Sequence, residues 1–260
     1  MRSEAFRREL MVAMGEHVYL MLVPPQERLC WGHCLIVPVE SVNSLTQCDE
    51  RVWEEVRAFQ SALERMCAAG PRPSDAGEAV GIVYLETVPT VTRPHHTVLH
   101  AIPMELEVHE DLPIYFKKAL SEVGSDWATH KKIVATHATR TIRQAVPPNF
   151  PYFHAEWAGG PYPRGGMAHV IEDLRTFPRN FGQDILRGLL GQTPAAFGRR
   201  SRGARGGGGG RDGRGRNGFG GGHNNGAAEV KKQVIEFMRC FGPFDATRKR
   251  ERETRIQGLG

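Results

Sequence analysis

One long amphipathic stretch, placed between two pairs of short apolar runs, constrains the fold of this chain most strongly. The stretch Glu50 to Ala69 repeats large apolar residues at intervals of three and four, which predicts a helix that packs by one side. Gly70 and Pro71 end it. Four apolar runs bounded by Pro, Gly or Ser predict strands: His17 to Val23, His33 to Pro38, Ala79 to Val88 and His96 to Ile102. The order strand, strand, helix, strand, strand predicts an α+β fold, an antiparallel sheet backed by the helix.

The sequence beyond Pro103 has a different texture. Apolar residues at helical spacing predict helices over Leu112 to Val123, Phe181 to Leu190 and Val230 to Phe241. Met167 to Ile171 predicts a short strand, whereas Pro147 to Gly166, punctuated by Pro and Gly, predicts a loop-rich stretch. A smaller α+β unit therefore follows the first one.

A Gly- and Arg-rich segment, residues 199–226, interrupts this second region. Its composition cannot bury a core, so we predict a disordered insertion. Between Arg199 and Arg216, seven arginines and one aspartate give a charge of +6, so the rest of the chain carries −1 of the total of +5. At 260 residues the chain exceeds what one small core usually organises. We therefore expect two domains, residues 1–110 and residues 111–250.

The composition also narrows the class of protein. No apolar run approaches the twenty or so residues of a membrane span, so we expect no membrane partner. The segment Met1 to Met14 lacks the apolar centre and small-residue cleavage site of a secretion signal. Five cysteines without a C-x-x-C pair favour reduced thiols in the nucleus or cytosol.

Two segments of the first region resemble histidine-triad proteins. Gly32-His33-Cys34-Leu35-Ile36-Val37-Pro38 is similar to their G-H-x-L-(I/V)-x-P strand. His96-Thr97-Val98-Leu99-His100-Ala101-Ile102 is similar to their H-φ-H-φ-H-φ-φ strand, with Val98 in place of the middle histidine. The resemblance implies a histidine-triad-like sheet in which the middle imidazole would attack a phosphorus atom. Since Val98 has no nucleophilic atom, we expect no enzyme activity.

Alternation of side chains along a strand sharpens this expectation. Residues 96, 98 and 100 share one face, so a register that used His95 would place Thr97 and Leu99 in the other two positions. His33, His96 and His100 either line a vestigial phosphate pocket or are hydrogen-bonded remnants with a structural role. His33 and Cys34 point to opposite faces, so they cannot converge on one ion with Cys30, and we predict no metal site and no cofactor.

Further segments, in order along the chain, resemble the C-terminal half of CwfJ-type (Cwf-nineteen-like) proteins. They include Leu85-Glu86-Thr87, Arg93-Pro94-His95-His96, Ile114-Tyr115-Phe116-Lys117-Lys118-Ala119, Gly165-Gly166-Met167-Ala168-His169-Val170-Ile171-Glu172-Asp173, Phe177-Pro178-Arg179-Asn180-Phe181-Gly182 and Gly242-Pro243-Phe244-Asp245-Ala246-Thr247. The resemblance implies a nuclear splicing protein that associates with the late, intron-lariat spliceosome. Implied partners are spliceosomal small nuclear RNA or intron lariat, spliceosomal proteins and the lariat-debranching machinery. Ser41 departs from the pattern, because it stands where a histidine usually follows the first triad strand.

Two more groups of residues are candidates for contacts. His169, with His154 and Glu172 as neighbours, either joins the two domains, contacts RNA or is a satisfied structural histidine. RNA-binding candidates are Arg199, Arg200, Arg202, Arg205, Arg211, Arg214, Arg216 and Phe219, with Arg248, Lys249 and Arg250 in a second basic run that alternatively serves nuclear import. Two alternative functions stay open: a histidine-triad nucleotide hydrolase or transferase, and a general Gly/Arg-rich RNA-binding protein.

Overall fold

The chain folds around one antiparallel sheet in a computed structural model that describes residues 8–69, 79–90, 95–123, 133–160, 163–173, 177–192, 222–245 and 247. The strands are Met11–Met14 (β1), Val18–Leu22 (β2), Cys34–Pro38 (β3), Ala79–Val88 (β4), Leu99–Glu105 (β5), Val134–His137 (β6), Tyr152–Gly159 (β7) and Gly165–Val170 (β8). The helices are Glu50–Ala69 (α1), Leu106–Val123 (α2), Ile142–Ala145 (α3), Phe181–Leu189 (α4) and Gly222–Phe241 (α5). The predicted α+β class is confirmed.

The long helix α1 has the bounds that the sequence predicts. Asp49 starts it, because its carboxylate accepts the N–H of Val52 at 2.9 Å and so satisfies one of the free donors of the first turn. The apolar stripe, which includes Val56, Phe59 and Leu63, is buried in the core. Burial of this stripe holds the helix against the sheet.

The sheet has eight strands in the order β1-β2-β3-β5-β4-β7-β8-β6. β7 pairs with β4 over its whole length, from Gly81 opposite Gly159 to Val88 opposite Tyr152. The strands β1 to β5 and the three later strands therefore form one hydrogen-bonded surface. The ladder between β4 and β7 crosses the predicted boundary at residues 110 and 111.

Helices cover both faces of this sheet. On one face α1 and α5 enclose a core with inward residues such as Ile82 and Tyr84 of β4. On the other face α2 and α4 pack over Val83 and Leu85 of the same strand. β4 is thus covered on both sides, and the second face carries the candidate site described below. Among the described residues, no helix has both the length and the apolar character needed to cross a membrane.

Four predictions about secondary structure are wrong. α2 begins at Leu106 rather than at Leu112. β5 begins at Leu99 rather than at His96, because the N–H of Thr97 bonds the carbonyl of Val42 outside the ladder, at 2.8 Å. β7 lies inside the stretch that the sequence predicts as loop-rich. Because nearly all residues of β7 are buried, its sequence lacks the alternation of polar and apolar residues that marks a half-exposed strand. α5 begins at Gly222, so residues 222–226 are helical although their composition predicts disorder. Residues 199–221 lie outside the described residues.

Candidate functional site

A pocket of about 420 Å³ opens on the sheet face that carries α4, beside β3 and β5. It collects side chains from distant parts of the sequence. Its lining residues are Val23, Pro24, Glu27, His33, Leu35, Thr87, His95, His96, Val98, His100, Arg179, Asn180, Gln183 and Arg187. The three histidines named from the triad resemblance, His33, His96 and His100, therefore lie in one pocket.

The two deepest histidines are joined by a chain of hydrogen bonds. The N–H of Leu29 donates to His33 Nδ1 at 3.2 Å, so a neutral His33 carries its proton on Nε2. That nitrogen lies 3.1 Å from His100 Nδ1 and donates to it. His100 then carries its proton on Nε2, which lies 3.2 Å from Gln183 Nε2; a half-turn of this amide, which exchanges its nitrogen and oxygen, brings the matching acceptor to that position.

Both of these imidazoles are neutral at neutral pH. Burial, then His100 and the guanidinium groups of Arg28 and Arg187, hold the pKa of His33 well below its ordinary value. Burial lowers the pKa of His100 to about 4. Since all four ring nitrogens already have protein partners, His33 and His100 form a rigid pocket floor, and any ligand must be held by other groups.

The outer wall of the pocket is formed by His95 and His96. His96 is exposed, and its Nε2 donates to the carbonyl of Pro38 at 2.8 Å, which leaves Nδ1 for a ligand. His95 lines the same pocket, although strand alternation predicts the other face. The reason is that residues 95–98 precede β5, so their side chains need not alternate between the two faces of the sheet. Burial and the neighbouring His96 lower the pKa of His95, while a hydrogen bond to the Thr87 backbone opposes them.

Val98 lies between His96 and His100 on the pocket wall, where the triad resemblance would place a nucleophile. Its orientation depends on Thr97, which points into the opposite side of the sheet. The hydroxyl of Thr97 donates to Glu86 Oε1 at 2.6 Å, and both residues are buried. Because Thr97 is anchored there, its neighbours on either side face the pocket.

Glu86, the central residue of the segment Leu85-Glu86-Thr87, is the anchor of this arrangement. Besides Thr97, its carboxylate accepts the N–H of Leu45 at 2.9 Å and the hydroxyl of Tyr152 at 2.6 Å. Burial raises the pKa of Glu86, and the three hydrogen bonds oppose this rise. Glu86 therefore links the loop after β3, the segment before β5 and the strand β7.

The opposite wall comes from α4 and the residues just before it, which the sequence does not predict as part of this site. Arg179 is exposed, and Arg187 pairs with Asp184 at 2.8 Å. Gly182 allows the helix to approach the sheet closely, because a Cβ atom there would lie 2.8 Å from Leu85 Cδ1 and 2.9 Å from Phe153 Cε2. The only sequence signal for this wall is the segment Phe177 to Gly182.

The second group of candidate histidines is not brought together. Phe153 pairs with His169 and His154 pairs with Ala168, so the side chains of His154 and His169 lie on opposite faces of the sheet. His154 is buried and hydrogen-bonds Thr136 at 3.0 Å. Gly166 leaves room for this contact, because a Cβ atom there would clash with the Thr136 hydroxyl. His169 stacks on Phe177, and Glu172 is exposed beyond the end of β8. The prediction that His154 and His169 are neighbours is therefore wrong.

The predicted RNA-binding arginines of the insertion, with Phe219, Arg248, Lys249 and Arg250, lie outside the described residues. Within the described part of the chain, no group of three or more His, Cys, Asp or Glu residues is arranged to hold a metal ion. The described cysteines are free thiols.

Comparison with known proteins bears on the whole chain. Residues 1–117 match the family described as protein similar to CwfJ C-terminal, and residues 126–206 match protein similar to CwfJ C-terminus 2. The first match ends within α2, and the second begins between α2 and β6. The histidines of the pocket thus lie in the first match, and Arg179, Gln183 and Arg187 lie in the second.

Individual relatives agree with these matches. CWF19-like protein 2 of Danio rerio is 35% identical over 246 residues, covering 95% of this chain and 22% of the relative. CWF19-like protein 2 of Homo sapiens is 32% identical over 248 residues, covering 95% and 24%. The pre-mRNA-splicing factor cwf19 of Schizosaccharomyces pombe is 27% identical over 198 residues, covering 73% and 29%. The chain thus spans about a quarter of the length of these curated relatives.

Proposed function

The chain belongs to the CwfJ, or CWF19-like, family, and from this premise we propose that it is a non-catalytic pre-mRNA splicing factor of the late, intron-lariat spliceosome. The fission-yeast relative bears the name of a pre-mRNA-splicing factor, which supports a splicing role. A nuclear location follows from that role. Its partners in this proposal are spliceosomal RNA or the intron lariat, spliceosomal proteins and the debranching machinery, which it assists without cutting the lariat.

The observation that carries the proposal is a pocket that contains all three histidines of the triad resemblance and a valine where that resemblance places the nucleophile. His33 and His100 are saturated by hydrogen bonds within the protein, and Val98 stands between His96 and His100. A valine cannot form a covalent bond to phosphorus. Such a pocket can bind a phosphate group and release it unchanged.

In this proposal the bound group is a phosphate of RNA. The guanidinium groups of Arg179 and Arg187 supply the positive charge and the hydrogen-bond donors, and His95 and His96 form the wall beside the bound group. Glu27 also lines the pocket and opposes an anion, so these cations must outweigh it. Gln183 keeps α4, which presents Arg187, aligned with the pocket floor.

Ultraviolet crosslinking of the tagged full-length chain in cells, followed by sequencing of the attached RNA, tests this function. We expect enrichment of spliceosomal small nuclear RNA or branched intron. A variant with Arg179→Ala and Arg187→Ala should lose much of this enrichment. A matched control with Lys117→Ala and Lys118→Ala, on the exposed side of α2, should keep it. Unselective RNA, or none, from the wild-type chain would contradict the proposal.

A triad nucleotide hydrolase or transferase is the second candidate, and the position of His95 is the observation that favours it. His95 offers an imidazole in the pocket although Val98 does not. Incubation with an adenosine phosphoramidate or a dinucleoside polyphosphate decides between the two. We expect no turnover, whereas turnover that is abolished by His95→Ala, His96→Ala or His100→Ala would overturn the non-catalytic proposal.

A deletion distinguishes the splicing factor from the remaining alternative, a general Gly/Arg-rich RNA-binding protein. Because residues 222–226 belong to α5, the deletion should remove residues 201–221 only. Retained association with spliceosomes would favour the splicing factor, and loss of all RNA and spliceosome association would favour the general binder.

A further inference from the structure

The orientation of α5 is fixed by aromatic contacts on its buried side. Phe237 lies 5.5 Å from Trp31, and Phe241 lies 6.5 Å from Phe59 of α1, measured between ring centroids. Val234 is buried on the same side. At 100° per residue, the opposite side of the helix must face outward.

Three cations occupy that outward side. Lys231, Lys232 and Arg239 are exposed, and they surround Ile235, which is 41% exposed. On a helical projection these four residues fall within an arc of roughly 100° that contains no acidic residue. Among the residues that the structure describes, none forms an ion pair with Lys231, Lys232 or Arg239. We call these four residues the α5 face.

The exposed side of α2 provides a contrast on the other face of the sheet. Its cations, Lys117 and Lys118, are interspersed with acidic residues: Glu107, Glu110, Asp111 and Glu122. An anionic strand would meet as much repulsion as attraction there. The α5 face has Glu229 and Glu236 only along one border, so three cations against two glutamates leave this side of the helix with a net charge of +1.

The most basic segment of the sequence precedes α5. Lys231, the first cation of the α5 face, is 15 residues after Arg216, the last of the seven arginines of the insertion. Covalent linkage of this length gives a second contact with the same polyanion a raised effective concentration.

We infer that the α5 face binds the phosphate backbone of single-stranded RNA. This inference rests on the RNA association proposed above and assigns part of it to a folded surface. The three cations bind phosphates, and Ile235 contacts sugar or base edges between them. Such binding is independent of sequence and strongly dependent on salt.

The test measures how affinity depends on salt, using the full chain and a labelled oligouridine of about 20 nucleotides. The variant Lys231→Ala, Lys232→Ala, Arg239→Ala should bind about tenfold more weakly at moderate salt. Its slope of log affinity against log salt should be shallower by about 2, because each lost phosphate contact removes about 0.7. Lys117→Ala with Lys118→Ala is the matched control and should leave both quantities unchanged.

Two further variants make the result decisive. Lys231→Arg, Lys232→Arg, Arg239→Lys keeps the charges and should bind like the wild type. In a chain without residues 201–221, the residual affinity should still fall when the three cations are removed. Binding by the triple-alanine variant with wild-type affinity and slope would overturn this inference and leave the proposed function standing. A wild-type chain that binds no RNA would overturn both.

Discussion

Buried imidazoles make the stability of this protein depend on pH. Burial lowers the pKa of His100 to about 4. Burial also lowers the pKa of His154 to about 4; Glu156 opposes this shift and Arg57 adds to it. A group whose pKa is lower in the folded state stabilises the fold above its ordinary pKa and loses this contribution as pH falls. The relevant window runs from the ordinary value of 6.5 down to about 4.

Replacing His154 by Gln should flatten part of this dependence. The amide can keep a hydrogen bond to Thr136 but does not titrate. We expect the wild-type free energy of unfolding to drop more steeply than that of His154→Gln between pH 6.5 and pH 4. Urea unfolding across this range measures the difference. Glu86 titrates in the opposite sense, since its raised pKa favours folding at low pH, and the comparison cancels it. Parallel curves would contradict the prediction.

At the scale of single elements, the sequence predicts α1 and β4 correctly but does not predict β7. α1 and β4 have the predicted bounds because a clear helical stripe or a long apolar run marks them. β7 is not predicted because its buried residues include the polar His154 and Glu156, which interrupt its apolar run. The histidines of the pocket could be predicted from their motif. The wall supplied by Arg179, Gln183 and Arg187 could not, because spacing within a helix does not reveal which surface the helix covers.

The two glycines of α4 should respond oppositely to the same substitution. Gly182→Ala adds a methyl group against Leu85 and Phe153, which should destabilise the fold by about 1–3 kcal/mol and loosen the contact between Gln183 and His100. Gly188 has no atom within 4 Å of an added Cβ atom, so Gly188→Ala should stabilise by about 0.5–1 kcal/mol. Chemical denaturation of both variants measures this. Equal effects would show that close packing of α4 does not matter.

At the scale of the whole molecule, the β4–β7 ladder makes the sheet a single structure. Without β7, the backbone of β4 from Gly81 to Val88 would lose its hydrogen-bond partners along one edge. Val83 and Leu85 would lose Phe153 and Ala155 from their shared core. The two regions that match separate family descriptions therefore depend on each other for stability.

This dependence predicts a single unfolding transition. Trp31 and Trp53 lie in the first region and Trp157 in the second, so tryptophan fluorescence reports on both while circular dichroism follows the helices. We expect coincident transitions in urea. A fragment of residues 1–123 should be markedly less stable than the full chain, or should aggregate through the exposed edge of β4. Two separate transitions, or a fragment of undiminished stability, would instead establish two independent domains.

The position of the pocket on this sheet also limits how its parts can be inherited. Its floor is supplied by residues before α2 and its charged wall by α4, and the two are held in register through β4 and β7. A recombination event that transferred either region alone would carry histidines without arginines, or arginines without histidines. The smallest heritable unit that contains the whole pocket therefore runs from β2 through α4, across both family regions.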